Sequence, residues 1–181
     1  MSIQLKNELN NLSKNNQTLN SAYQKLPGDS PSKIPFLIWL LENPDSPLPF
    51  AGKIDLYRHD CLHLLLEKNF SLDDEAFVVG FTMGNDLQTN WLHIVLFKFI
   101  SNKFYPVSFR FNLQHLAVFD LGYLYGRKVA TKNINKIDFQ AYKYTSIAEI
   151  RKQLGIDIYA LELMSATQNL LTKVSPQSEN I

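Results

Sequence analysis

The stretch Arg58–Asn85, RHDCLHLLLEKNFSLDDEAFVVGFTMGN, decides how this chain is read. It holds two of the four histidines and the only cysteine, with a run of acids bracketed by apolar residues. On a helix, His59 and His63 stand at i and i+4 and share a face. Asp60 lies about 100° round from His59, so the three side chains fall within roughly a third of the circumference. One ion can gather an arc of that width.

Beyond them, Lys68-Asn69-Phe70-Ser71 interrupts the apolar run, and Ser71 followed by Asp74 reads as an N-cap with a short-armed capping box. A reversal there puts His63 about 9 Å and Glu75 about 6 Å from the bend, so the two meet at similar height across a helical hairpin. His59, Asp60, His63 and Glu75 then form a mixed nitrogen and oxygen set suited to a divalent metal, whether zinc, iron, manganese or magnesium. The competing reading is a histidine pair that is merely solvated, or bonded to Asp60 and Asp73. Position 60 lacks the glutamate of the HExxH zinc-protease motif. Only His93 and His115 remain to supply the further ligands of an HD phosphohydrolase, and neither has an acid or a histidine at helical spacing. Cys61, two residues from each histidine, points away from their shared face and reads as core.

His59-Asp60-Cys61-Leu62-His63, eleven residues, then Glu75 resembles the HDxxH-x11-E signature of the coenzyme Q (ubiquinone) biosynthesis protein four family. Arg58 before the motif and Phe81 after it also fit. Gly126-Arg127-Lys128 is similar to that family's GRR segment, and SIAEIRKQLGI (Ser146–Ile156) to its closing segment. The likeness covers about Ile54 to Ile156. The chain departs from it with Glu67 and Asp74 where glycines are usual, with Phe139-Gln140 near a usual Trp-Glu, and with four extra residues after Phe139. The candidate ligands are untouched by these departures.

The resemblance implies a protein of prenylquinone biosynthesis in which these four residues hold the metal and form the catalytic centre. It implies a prenylated hydroxybenzoate precursor whose carboxyl group at ring C1 is replaced by hydroxyl; use of dioxygen would call for iron or manganese rather than zinc. Leu62, Leu66, Phe77, Phe81 and residues of Val107–Val129 are the expected wall of an apolar tunnel for the prenyl chain. Arg58, Arg110 and Arg127 are candidates to bind a carboxylate or phosphate head, against salt bridges to Asp55, Asp60, Asp120 or Glu75. A non-catalytic prenyl-lipid scaffold organising other quinone-biosynthesis proteins is the rival from another class. A metal-dependent phosphohydrolase acting on a prenyl phosphate is the third reading.

Composition bounds the rest. With 181 residues, 45% hydrophobic, the chain has the size of one domain with a substantial core. A net charge of +1 advertises no nucleic-acid partner. One cysteine excludes an internal disulfide and fits a reducing compartment. No apolar run reaches the roughly 18 residues needed to span a bilayer, and the N-terminal segment carries neither signal-peptide nor transit-peptide pattern. A cytoplasmic protein, or one peripheral on the inner face of the membrane, is expected. The run Phe36–Leu41 is too apolar for a free surface and points to membrane contact, a homodimer interface or core.

No alternation of strand period and no hairpin dipeptide stands out, so the class is all-α: a single-domain bundle of about six to eight helices spanning residues 1–174, with a flexible tail from 175 to 181. Residues 1–26 are expected to dock as a peripheral helical segment. Helices are expected over Ile34–Glu42, Lys53–Lys68, from Leu72 onward, over Thr89–Phe104, Val107–Val129, from Ser146 to Gly155 and over Asp157–Leu171, with 131–144 irregular. Gly80 and Gly84 mark close approach of a helix or a ligand, or a weakened helix. Twelve Phe and eight Tyr fit either a bulky helical core or the tunnel.

Overall fold

Short polar side chains set where the helices begin. The computed structural model describes residues 16–26, 45 and 51–174. Among these it shows seven α-helices and no strand, only an isolated bridge between Thr18 and Ser146. They are α1 (Leu19–Tyr23), α2 (Leu56–Leu65), α3 (Leu72–Asn85), α4 (Trp91–Lys103), α5 (Leu113–Lys128), α6 (Ile147–Leu154) and α7 (Ile158–Val174). The side chains of Thr18, Asp55, Ser71, Asn90, Asn112 and Ser146 each accept the backbone N–H three residues on. Each such cap satisfies an otherwise orphaned donor and contributes about 1 kcal/mol. The all-α, single-domain bundle expected from the sequence is the observed class.

Two boundaries differ from expectation. Lys53–Lys68 is helical only over Leu56–Leu65, because Glu67 adopts a left-handed backbone with φ of 54°. Val107–Val129 is not one element: a 3₁₀ turn at Val107–Phe109 precedes α5, which starts afresh where the Asn112 side chain takes up the N–H of His115. The irregular 131–144 region contains two 3₁₀ turns, Ile134–Lys136 and Phe139–Tyr142. Of the N-terminal segment, α1 docks through Leu19 and Ala22, tied by Leu19 N–H to the Thr145 carbonyl (3.0 Å). Residues 1–15, the expected helix Ile34–Glu42 with its run Phe36–Leu41, and the expected tail 175–181 lie outside the described residues.

The centre of the fold is the contact of α3 with α5. A methyl group added at Gly80 would sit 2.1 Å from the Phe119 carbonyl oxygen, and one at Gly84 2.1 Å from that of Tyr123. Reciprocally, Gly122 faces the Phe77 carbonyl at 2.1 Å and Gly126 that of Phe81 at 2.3 Å. Both sets advance in the same direction, so α3 and α5 run parallel with their backbones touching. The two glycines the sequence left open therefore serve helix approach. α4 carries the chain back from the end of α3 to the start of α5, stacking Phe97 on Phe119 with centroids 5.2 Å apart and pairing Lys98 with Asp120 at 2.6 Å.

Buried Asp86, just past α3, clasps the loops. Its carboxylate accepts from Gly52 N–H (3.1 Å), Gln88 N–H (2.9 Å), Asn135 (3.0 Å) and Lys136 (3.1 Å). Burial alone would raise its pKa, but these donors outweigh burial and hold it below the ordinary carboxylate value. A folded pKa below the unfolded one stabilises the fold above the unfolded value, and that contribution is lost as pH falls through the folded value. Asp86→Asn, which sets an amide donor against donors, is expected to cost about 2 kcal/mol at neutral pH. In thermal melts the gap to wild type should close as pH falls below the carboxylate range. A gap that persists into strong acid would contradict this role.

Candidate metal centre

The hairpin between α2 and α3 forms where the sequence interrupts its apolar run. The Ser71 hydroxyl accepts Asp74 N–H (3.2 Å) and donates to the Asp74 carboxylate (3.0 Å), which also accepts Asn69 N–H (3.1 Å). The other Asp74 oxygen accepts from Gln168 on α7 at 2.9 Å. Asp74, standing where the resembled family has glycine, thus fixes the turn that presents Glu75. Asp73, Asp74 and Glu75 fill the first turn of α3, where the helix dipole favours negative charge.

Across the hairpin, α2 presents His59 and His63. Glu75 lies between them, with one carboxylate oxygen 3.4 Å from His59 Nε2 and the other 3.3 Å from His63 Nε2. The imidazole centroids are 4.7 Å apart, and one ligand atom from each of the three residues lies within 4.8 Å of the others. Tetrahedral coordination with arms of about 2.1 Å has edges of about 3.4 Å, the separation seen on both sides of Glu75.

His63 is wholly buried, and its Nε2 meets the Glu75 carboxylate only as a 3.3 Å contact outside good hydrogen-bond geometry. A buried nitrogen so loosely partnered forgoes part of the roughly 1 kcal/mol that a full hydrogen bond contributes. An ion among the three ligands makes up that loss for the nitrogen facing Glu75. One face of the imidazole is covered by Phe70, stacked at 4.5 Å.

Two of the three protonation states suit ligation. Burial, helped by neighbouring His63 and opposed by Glu75, pushes His59 down to about 4. Burial works against charge on His63 as well, but adjacent Glu75 outweighs it and raises its pKa. Burial would raise Glu75, yet the two imidazoles hold it below the ordinary carboxylate range. At neutral pH His59 is neutral and Glu75 ionised, the forms that bind a cation, while His63, drawn toward its protonated form by Glu75, gives up that proton to a metal.

Asp60, the fourth expected ligand, is not part of this group. Its carboxylate accepts a hydrogen bond from Tyr23 on α1, whose phenol is raised by burial and by the Asp60 charge. Cys61 is buried as expected, its thiol pushed up to about 12 by burial.

No family model, curated protein or solved structure matches this chain. Two imidazoles and one carboxylate make a three-ligand set, which in catalytic metal sites leaves positions for water or substrate.

The other expected site residues are dispersed. Leu62, Leu66, Phe77 and Phe81 are fully buried in the core, with Phe77 and Phe81 against Tyr125 at 6.4 and 5.8 Å. Arg58 donates to the Ile137 carbonyl at 2.8 Å and pairs with Asp55, the helix cap, which is one of the salt bridges weighed against head-group binding. Exposed Arg110 donates to the Tyr105 carbonyl at 3.1 Å. Arg127 is exposed on α5, and its neighbour Gly126 lies beside Phe81 and Asn85 of α3, about 9–15 Å along the axis from Glu75. His93 and His115 complete capping boxes, each Nδ1 accepting the N–H of the capping asparagine. His115 also meets an acid that spacing did not show, with Nε2 3.6 Å from Asp73.

Sequence reasoning passed over Arg151. Buried on α6, it donates to the Leu65 carbonyl (2.8 Å) and the Leu64 carbonyl (3.0 Å) and pairs with Glu67 (3.1 Å). It thereby closes the C-terminal end of α2 just past His63. Glu67 sits in a left-handed conformation that costs an L-residue roughly 1–2 kcal/mol, offset here by the bond to Arg151. The signal was present: Ile147, Ile150, Arg151 and Leu154 share the buried face of α6, and an arginine there needs partners. Arg151→Met should destabilise the protein by about 3 kcal/mol, since it strips two carbonyls and a carboxylate of their donor. A melting temperature equal to wild type would show that α2 needs no such closure.

Proposed function

We propose that this chain is a divalent-metal protein of prenylquinone biosynthesis that binds a prenylated hydroxybenzoate and replaces its C1 carboxyl with hydroxyl. The observation that carries the reading is the convergence of His59, His63 and Glu75 on one point at the HDxxH-x11-E spacing. These three residues would hold the ion, which would supply Lewis-acid polarisation of the bound carboxylate or phenolate. The exchange releases carbon dioxide and is a two-electron oxidation of the ring. With dioxygen as oxidant one oxygen atom would enter the hydroxyl and the other leave as water, with two electrons from an added reductant, which would favour iron or manganese over zinc.

The protein's own part is placement. Glu75 keeps both imidazoles turned to one point, and Arg151 fixes the end of the helix that bears them. Phe70, beside His63 and partly exposed, offers an apolar surface next to the polar centre, as an aromatic ring with a prenyl substituent requires.

The experiment is turnover of a prenylated hydroxybenzoate by purified chain loaded in turn with iron, manganese, zinc and magnesium, with products identified by mass spectrometry. Loss of the carboxyl and gain of hydroxyl are expected, abolished by Glu75→Gln. Tight binding without turnover under every metal would assign the scaffold role instead. Phosphate release from a prenyl phosphate would assign the phosphohydrolase.

A further inference from the structure

The side of α4 turned away from the core is apolar. Trp91, Leu92, Val95, Leu96 and Phe99 occupy an arc of about 140° and are 42% to 74% exposed. Phe97 and Ser101, on the opposite side, are buried. Of the sixteen large hydrophobics exposed among the described residues, ten lie between Leu87 and Leu113. The five on α4 share one helix face rather than being the scattered singles that need no partner.

The charge of this region is one-sided. From Leu87 to Phe119 the sequence has no aspartate or glutamate, and its cations are Lys98, Lys103 and Arg110. Lys98 is answered by Asp120. Lys103 is exposed about 120° round the helix from Trp91, inside the apolar arc, and Arg110 is exposed in the segment that follows.

We propose that this face docks on the interfacial layer of a bilayer containing anionic phospholipid, with α4 lying along the surface. An apolar stripe with aromatics and cations but no acid is the pattern of an interfacial helix. At 13 residues, about 20 Å, α4 cannot span a bilayer, and no described helix is long and apolar enough to do so. A second copy seated face to face would set Lys103 and Arg110 of one against those of the other, with the neighbouring acid Asp120 already taken by Lys98, which disfavours that occupant. This inference stands apart from the metal reading. It has one geometric consequence: α4 ends where α5 begins, and His115 there lies 3.6 Å from Asp73, two residues from Glu75. The docked surface therefore adjoins the end of the bundle that carries the candidate metal centre.

The test is flotation of the full chain with phosphatidylcholine vesicles, with and without phosphatidylglycerol, beside sedimentation of the free protein. Wild type is expected to float with the anionic vesicles and to be released by added salt. Val95→Asp with Phe99→Asp, at exposed positions, should lower partitioning at least about tenfold with circular dichroism unchanged. Lys103→Glu, which leaves the apolar face intact, should lower it at least about fivefold on anionic vesicles. Wild type that stays at the bottom of the gradient overturns the proposal. So does flotation indifferent to both variants, which would assign it to another part of the chain such as Phe36–Leu41. A dimer that never floats and that the double variant dissociates would give the face to a second copy.

Discussion

Gly80→Ala and Gly122→Ala are each expected to destabilise the protein by about 3 kcal/mol or more, a fall in melting temperature of about 6–12 °C for a chain of this size. The nearest atom to the added methyl is in each case a backbone carbonyl oxygen of the facing helix, 2.1 Å away. A side chain could swing aside; a carbonyl inside a helix cannot. The two backbones must move apart, and Phe77, Phe81 and Phe119, all fully buried beside this contact, lose packing as they do. Alanine's higher helix propensity returns only about 1 kcal/mol. The double variant approaches the whole stability of an ordinary domain, about 5–15 kcal/mol, and is expected to be largely unfolded at physiological temperature. Gly155→Ala gives the contrast: its φ of 72° costs about 1–2 kcal/mol, and the nearest atom is a side-chain methyl of Ala130 at 3.2 Å. Melts of the three single variants check this ordering. Gly80→Ala as stable as wild type would mean that α3 and α5 do not touch as described.

Residues that act on their sequence neighbours were legible before the fold was known. Ser71 and Ser146 as caps, Gly155 as the left-handed end of α6, and the hairpin that brings His63 to Glu75 all follow from spacing and side-chain chemistry within a few turns. Residues whose role is to meet a distant segment were not. Gly122 and Gly126 look like helix-weakening glycines until α3 is laid against them. Asp60 has the spacing of a ligand but bonds Tyr23, more than thirty residues away. Arg58, Arg110 and Arg127 are alike as cations, and only the fold separates the pairing of Arg58 with its own helix cap from the exposed positions of the other two. Asn112 had the chemistry of a cap, but the apolar periodicity around it from Val107 to Val129 masked the break.

Removing the ion should be the second large effect. A ligand present at about a thousand times its dissociation constant stabilises by about 4 kcal/mol, so chelation should lower the melting temperature by about 8–16 °C. His63→Leu separates this from simple packing. It should weaken metal binding by more than the roughly 10–100-fold typical of a residue outside the ligand shell. In the presence of chelator, however, the variant should lie within about 1–2 kcal/mol of wild type, because relief from burying a loosely partnered imidazole is set against loss of its contact with Glu75. If His63→Leu is several kcal/mol less stable than wild type under chelation, His63 holds the core together without an ion.

The most direct measurement is the metal content of the purified chain, determined by mass spectrometry of the elements for wild type and for a variant carrying both His59→Ala and His63→Ala. About one divalent ion per chain is expected in wild type and essentially none in the variant, since Glu75 alone is left of the three converging ligands. Full occupancy in the double variant, or a wild type that takes up no divalent ion when offered each in turn, would contradict the assignment of His59, His63 and Glu75 as a metal centre.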